Sequence, residues 1–294
     1  MRTFALIVCT LLAQALPLAA QQQIERKWPL APDGAVKIHH FVGRVRVVGW
    51  DRDTVAVSAS VPAGYRLFGG GDRNAVKLGL ESDDRDKQTA VVLEVRVPLG
   101  ANVWVRGAAT DIDASGLIGT VDIGTVSGRV VVTGSPRLLT VESMTGALSV
   151  RGSPETLRAK TAAGDLTWEG SARDALLVSV SGLVRVRSGP LERIRVESVT
   201  GPVSIDAALR SDARVTIETH SGDVELRLPA RAPLRLDADA ARVTAPGVSP
   251  RARPASGRFA AANILEFNIT SPPTAAPTVI VRSFTGHLVV GFAR

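Results

Sequence analysis

The sequence predicts an all-β chain: a single-domain parallel β-solenoid with coils of about 18–21 residues and an antiparallel N-terminal cap. Two observations carry this prediction. The segments VDIGTVSGRVVV, LTVESMTGALSV, LRAKTAAGDLTW, ALLVSVSGLVRV, IRVESVTGPVSI and VTIETHSGDVEL repeat one pattern, with Gly128, Gly146, Gly164, Gly182, Gly201 and Gly222 spaced by 18, then 19, then 21 residues. A fixed period of this length marks units that bury their apolar side only by stacking on their neighbours. Within each unit, apolar residues alternate with polar ones as in strands with one buried face.

Composition agrees. The 294 residues are 45% apolar but only 4% aromatic, so the core is built from Val, Leu, Ile and Ala. The formal charge is +7, and of 35 basic residues only five are Lys. The arginines are spread without a basic run, which reads as solvated strand faces and not as a nucleic-acid footprint.

Residues 1–20 resemble a secretory signal peptide. Arg2 supplies the positive start, residues 4–12 the apolar stretch, and Leu16-Pro17-Leu18-Ala19-Ala20 the small-residue end before Gln21. An extracytoplasmic location is expected: periplasmic, cell-surface or secreted. Cys9 is the one cysteine and lies inside the signal, so the mature chain has no thiolate metal site and no disulfide. No later stretch reaches the ~20 apolar residues of a spanning helix, so no transmembrane segment is expected in the mature chain.

Residues 21–35 read as a leader and 36–294 as the solenoid domain. Residues 36–50 form a first unit with Gly43 in the key position. Residues 51–98 break the period with three alternating segments, 54–61, 75–81 and 90–97, read as the antiparallel cap that covers an otherwise open solenoid end. Regular coils are expected over 101–247, with Thr110 and Ala241 in the glycine position of the first and last. Residues 248–263 are a Pro-, Arg- and Ser-rich loop excursion, and 264–294 a strand and a terminal coil around Gly286.

Calling the glycine zero, inward positions are minus seven and minus five before it and plus two and plus four after it. Trp168 takes one such slot. The parity change requires a bend, and glycine accepts a positive φ there at little cost; Gly43, Gly128, Gly146, Gly164, Gly182, Gly201, Gly222 and Gly286 are therefore assigned as structural corners. The Ser or Thr at minus three and at minus one also falls on the inward parity. A repeated hydroxyl is not a nucleophile, which needs one activated residue beside a base. These hydroxyls are read instead as satisfying backbone groups at the turn. GSPRL, GSPET, GSARD and SGPLE supply tight turns at the opposite corner.

These features together resemble the bacterial putative-adhesin β-solenoid family, a secreted domain of unknown function. The residues that carry the resemblance are GRVRVVGWDRDTVAVSA, LEVRVP before the repeats, the run of S-G-x-V units with HSGDVELRLP, and the closing VRSFTGHLVV. The resemblance implies a non-enzymatic extracytoplasmic role and supplies no catalytic residue.

Sites for chemistry are few. Asp111 with Asp113, Asp237 with Asp239, and Asp83, Asp84 and Asp86 are candidates for carboxylate pairs or calcium ligands. They lack both an opposing wall and a calcium-loop spacing. His39 and His40 are adjacent in a strand and point opposite ways, and His220 and His287 are isolated. No catalytic, cofactor or metal residue is assigned. The minus-two column, Phe41, Val126, Met144, Ala162, Val180, Val199, His220 and Phe284, is moderately apolar and faces outward. Within it Val126, Met144, Val180, Val199 and Phe284 form a candidate docking column, unless a loop or the 248–263 excursion covers it. The expected partner is an envelope or surface protein or polysaccharide, not nucleic acid, and the exposed ends allow self-association. The expected function is a binding or structural scaffold; a polysaccharide-acting β-helix lyase or hydrolase is the alternative.

Overall fold

The computed structural model describes residues 22–83, 89–229, 234–245, 251–252, 263–267 and 276–293. Residues 1–20, read from the sequence as a signal peptide, Asp84, Asp86 and most of the 248–263 stretch lie outside them. Every described element is a strand, and no helix among the described residues is long and apolar enough to cross a membrane.

Alternation dictates two facing β layers. One layer holds the strands before the corner, including Thr120–Thr125, Leu138–Ser143, Thr156–Thr161 and Asp174–Ser179, paired in parallel with no register shift. The other holds the strands after it, Val130–Thr133, Leu148–Gly152 and Leu166–Gly170, also parallel and in register. In-register stacking puts like on like: Val121, Leu139, Leu157, Ala175, Ile194 and Val215 form one inward column. All are buried, as are Val130, Leu148, Leu166, Val184 and Val203 opposite them. Burial of each Val, Leu or Ile contributes about 1.5–3 kcal/mol. The core is thus a stack of thin layers filled from two sides, with Trp168 fully enclosed and donating from Nε1 to the Gly152 carbonyl at 3.4 Å.

The second corner changes along the stack. Gly134 and Gly152 sit there at φ 135° and 141°, a region that disfavours side chains. Ser188 replaces glycine at the equivalent place, and here the period lengthens. Val184–Ser198 and Val203–Thr219 run as continuous strands from one layer round to the other, with register shifts between Ser188 and Arg193 that absorb the extra residues.

The N-terminal cap is antiparallel where Thr54–Val61 pairs with Val91–Pro98 and where Tyr65–Gly71 pairs with Ala75–Ser82. Ala75–Ser82 and Val91–Pro98 also pair in parallel with Ala35–Trp50, so together they form one further coil beneath the first. The stretch read as a leader contributes an edge strand, Gln22–Pro29, antiparallel to Thr54–Val61. Its polarity disguised it: only one face touches the cap, through buried Ile24 and half-buried Trp28.

At the other end the order in space departs from the order in sequence. Thr278–Ser283 lies between Val203–Thr219 and Leu234–Asp239, in parallel with both, and His287–Ala293 lies between Val224–Pro229 and Arg242–Thr244. The terminal coil is inserted, and the coil before it in sequence is displaced outward. That displaced coil has a shorter corner. Leu236, not Leu234, lies opposite Val279, while Val243 lies opposite Leu288, so Ala241 is an exposed link and not a corner equivalent to the glycines. Asn263–Phe267 does not join the terminal coil but pairs antiparallel with Leu234–Asp239 at the edge.

The insertion is testable by cross-linking in a Cys9→Ser background. Thr216 and Asp237 each lie opposite Ile280. Thr216→Cys with Ile280→Cys, and Asp237→Cys with Ile280→Cys, should each form a disulfide. Thr216→Cys with Asp237→Cys should not, because two strand spacings of ~4.8 Å exceed the ~7 Å limit between Cα atoms. The reverse pattern in non-reducing mass spectrometry would refute the insertion.

Candidate functional site

The first corner is where the outward columns are set. At minus three the hydroxyl is buried and closes on the glycine of its own coil. Ser143, Thr161, Thr219 and Ser283 accept hydrogen bonds from the amides of Gly146, Gly164, Gly222 and Gly286 at 2.9–3.0 Å. Ser179 and Ser198 instead donate to the carbonyls of Gly182 and Gly201, both at 2.7 Å. Such bonds satisfy backbone groups that would otherwise be orphaned inside.

The hydroxyls at minus one do not point inward as parity alone predicts. Ser127, Thr145, Ser181, Thr200, Ser221 and Thr285 are exposed. Two successive residues lie on the outside of the bend, so alternation skips there. Thr200 donates to the Val180 carbonyl at 3.2 Å, one coil away, and Ser181 to that of Ala162 at 3.4 Å.

The glycines serve the corner by their lack of a side chain, not by their φ. Of the eight corner glycines only Gly43 has a positive φ. A Cβ on Gly146 would fall inside the Gly128 carbonyl oxygen, and the same relation links Gly164 to Gly146, Gly182 to Gly164, Gly201 to Gly182, Gly222 to Gly201 and Gly286 to Gly222. The ladder rests backbone on backbone.

Thr110 departs from this pattern for a local reason. Its coil carries Gly107 at minus three, and a Cβ there would strike the Thr110 side chain, so hydroxyl and glycine have exchanged places. The buried Thr110 Oγ1 donates to the His40 carbonyl at 3.1 Å and lies 3.2 Å from His40 Nδ1. His40 fills the minus-three slot of the first coil, buried where other coils have Ser or Thr, and burial pushes its pKa down to about 4.

What the corner presents to solvent is the minus-two column. Phe41, Val126, Met144, Val180, Val199 and Phe284 are between 44% and 68% exposed. Ala108, half-buried, lies between Phe41 and Val126 and continues the line. His220 is exposed and stacks on Phe284, their ring centroids 5.3 Å apart and nearly parallel. At ~4.8 Å per coil, the nine positions from Phe41 to Phe284 span about 38 Å. The amides of Met144 and Val180 donate to the Val126 and Ala162 carbonyls at 3.2 Å, so the backbone under the ridge is held coil to coil.

Three of the acidic candidates, Asp83, Asp111 and Asp113, are held by neighbours. Arg44 pairs with both Asp111 (3.5 Å) and Asp113 (3.7 Å), and Arg66 with Asp83 (3.3 Å). Asp111, Asp165 and Asp223, all just after the corner, accept the amides of Arg129, Leu183 and His287 in the next coil at 2.9–3.0 Å. This Asp column is a signal in the repeat that parity reasoning passed over. Glu142 and Lys160 face each other across adjacent strands at 3.6 Å, an exposed pair worth a few tenths of a kcal/mol. Among the described residues no group of three or more His, Cys, Asp or Glu side chains converges on a metal position.

The profile of Toastrack DUF4097 matches residues 33–247. The chain belongs to the Toastrack DUF4097 family. No curated protein matches it in sequence. Among solved structures, a putative adhesin from Parabacteroides merdae is 10% identical with a TM-score of 0.45, over 91% of this chain and 96% of that one. A putative adhesin from Bacteroides fragilis is 13% identical with a TM-score of 0.41, over 92% and 98% respectively. A putative adhesin from Parabacteroides distasonis is 10% identical with a TM-score of 0.40, over 92% and 98%. The Toastrack DUF4097 match spans the first corner from Gly43 to Gly222, including the ridge from Phe41 to His220.

His40 makes stability depend on pH. The unfolded chain takes up a proton on this residue near pH 6.5 and the folded chain only near pH 4. Above pH 6.5 both states carry neutral imidazole and the group adds no slope. As pH falls from 6.5 towards 4 the unfolded state binds the extra proton, and stability is lost. His39, lowered first by burial and then by Lys77, Arg106 and Lys37, acts with the same sign. His40→Gln should therefore reduce the fall in melting temperature between pH 6.5 and pH 4. An unchanged slope would show that His40 is not held neutral in the fold.

Proposed function

We propose that this protein is a non-enzymatic extracytoplasmic binding scaffold of adhesin type, exported by residues 1–20, whose corner ridge docks an envelope or surface partner. The observation that carries the reading is that six of the nine positions from Phe41 to Phe284 hold exposed Val, Met or Phe, with half-buried Ala108 and Ala162 and exposed His220 between them. Where the minus-two side chain is exposed a polar residue fits, as His220 does. Val, Met and Phe stand at six of these positions instead, at a cost in exposed apolar surface that a docked partner offsets. The stacked corner beneath supplies rigidity, so little order is lost on binding.

The enzymatic alternative gains no specific support. The carboxylates weighed for it at Asp111 and Asp113 are both engaged by Arg44, and the repeated hydroxyls at minus three are engaged by corner backbone.

The test is a combined variant, Val126→Thr, Met144→Gln, Val180→Thr and Val199→Thr. Its melting temperature should match that of the parent, since all four side chains are exposed. Retention on immobilised cell-envelope fragments, followed by biolayer interferometry, should weaken by tenfold or more, given ~0.8 kcal/mol per buried methylene. Full retention by a folded variant would remove the ridge from the account.

A further inference from the structure

Away from the ridge, the N-terminal end of the first layer carries two rows of outward side chains. One row runs Lys77, Lys37, Trp104 across three parallel strands, and the next runs Gly79, His39, Arg106. Phe68 lies beside Gly79 on the antiparallel neighbour, and its ring covers the place where a Cβ of Gly79 would be.

The charges in this patch are unevenly satisfied. Arg106 is closed by Asp122 at 3.0 Å. Lys37 and Lys77 are exposed and stand directly opposite each other, and neither has a carboxylate partner among the described residues. Like charges directly opposite in a sheet destabilise it. Elsewhere on the same layer like-charge neighbours carry a counter-charge: Arg195 bridges Glu197 and Glu218, and Arg193, opposite Arg214, pairs with Asp174. An anion between the two ammonium groups would turn the repulsion into two charge-assisted bonds. Burial first, and then the neighbouring cations Lys77, Arg106 and Lys37, hold half-buried His39 below its ordinary value, so near neutral pH it offers an uncharged donor and acceptor.

The flanking rings narrow the anion's class. Trp104 and Phe68 are half-buried, border the lysines and imidazole, and leave partly exposed ring surface. A flat floor with two cations, a neutral imidazole and bordering aromatic rings suits a carboxylate-bearing sugar, whose C–H face packs on a ring while its hydroxyls meet the imidazole. A membrane surface is met by clusters of ~4–8 basic residues, and nucleic acid by longer basic stripes; two unpaired ammonium groups fit neither.

We infer that Lys37, Lys77, His39, Trp104 and Phe68 form a binding site for an acidic polysaccharide, with the two lysines holding a uronate carboxylate and Trp104 packing on the sugar ring. The site lies on a strand face, separate from the corner, and stands whether or not the ridge docks a partner.

The test is calorimetric titration of the purified protein with an oligogalacturonate at low salt. Binding should weaken as salt is raised, and Lys37→Gln with Lys77→Gln should reduce affinity about tenfold or more. Without ligand, either single Lys→Gln change should raise the melting temperature by relieving the repulsion. Trp104→Ala should weaken binding while Trp104→Phe largely preserves it, and the four-residue ridge variant should bind as the parent does. The proposal is overturned if the parent does not bind, if the double variant binds equally well, or if a fully methyl-esterified oligomer binds as tightly. It is likewise overturned if a DNA oligomer or phosphatidylglycerol vesicles match the oligogalacturonate.

Discussion

The approach of backbone to backbone at the first corner is the constraint on which the rest of this structure depends. Each corner glycine from Gly146 to Gly222, and Gly286 after it, rests on the carbonyl of the glycine in the neighbouring coil, at a distance that excludes a Cβ. That contact keeps the coils at strand spacing round the bend, where ordinary ladder bonds are interrupted. It also leaves one inward slot at the corner, at minus three, small enough for Ser or Thr and polar enough to need them. The next residue is then forced outward in every coil, which is how a repeat made for packing produces a continuous ridge.

Parallel stacking leaves open ends, and the chain treats its two ends differently. At the N-terminus a further coil, split between Ala75–Ser82 and Val91–Pro98, is overlaid by antiparallel strands. At the C-terminus the terminal coil is sheltered between two others, and the outermost coil is the less regular one with the shortened corner. A coil with well-formed corner bonds thus lies between two parallel coils, while the coil lacking a corner glycine has a parallel coil on one side only, its first strand being covered by antiparallel Asn263–Phe267.

The sequence made the coils legible because burial has period two and stacking has period 18, and both leave marks on every unit. The inward columns at minus seven, minus five, plus two and plus four are read directly from Val, Leu and Ile. What glycine does was less legible, since a residue chosen for positive φ and one chosen for close approach are written identically; φ governs at Gly134, contact at Gly146 and Gly164, and both at Gly152. The order of the last coils was not legible at all. Leu236 and Ala238 would stack on Val215 and Ile217 as well as Val279 and Val281 do, and an apolar pattern carries no record of which neighbour it meets. Of the candidate surfaces, the ridge could be read from parity plus the bend. The Lys37 and Lys77 pair could not, because the residues are 40 apart in sequence and meet only through the cap's parallel strand.

The central claim is that corner glycines are required by contact between coils, and denaturant unfolding of matched glycine variants tests it most directly. Gly164→Ala places a methyl group against the Gly146 carbonyl, whereas Gly189→Ala places one in nearly open space at the second corner without a positive φ. The account predicts a loss of at least about 2 kcal/mol for Gly164→Ala and a change within about 0.5 kcal/mol for Gly189→Ala. Equal stabilities for the two variants would contradict it.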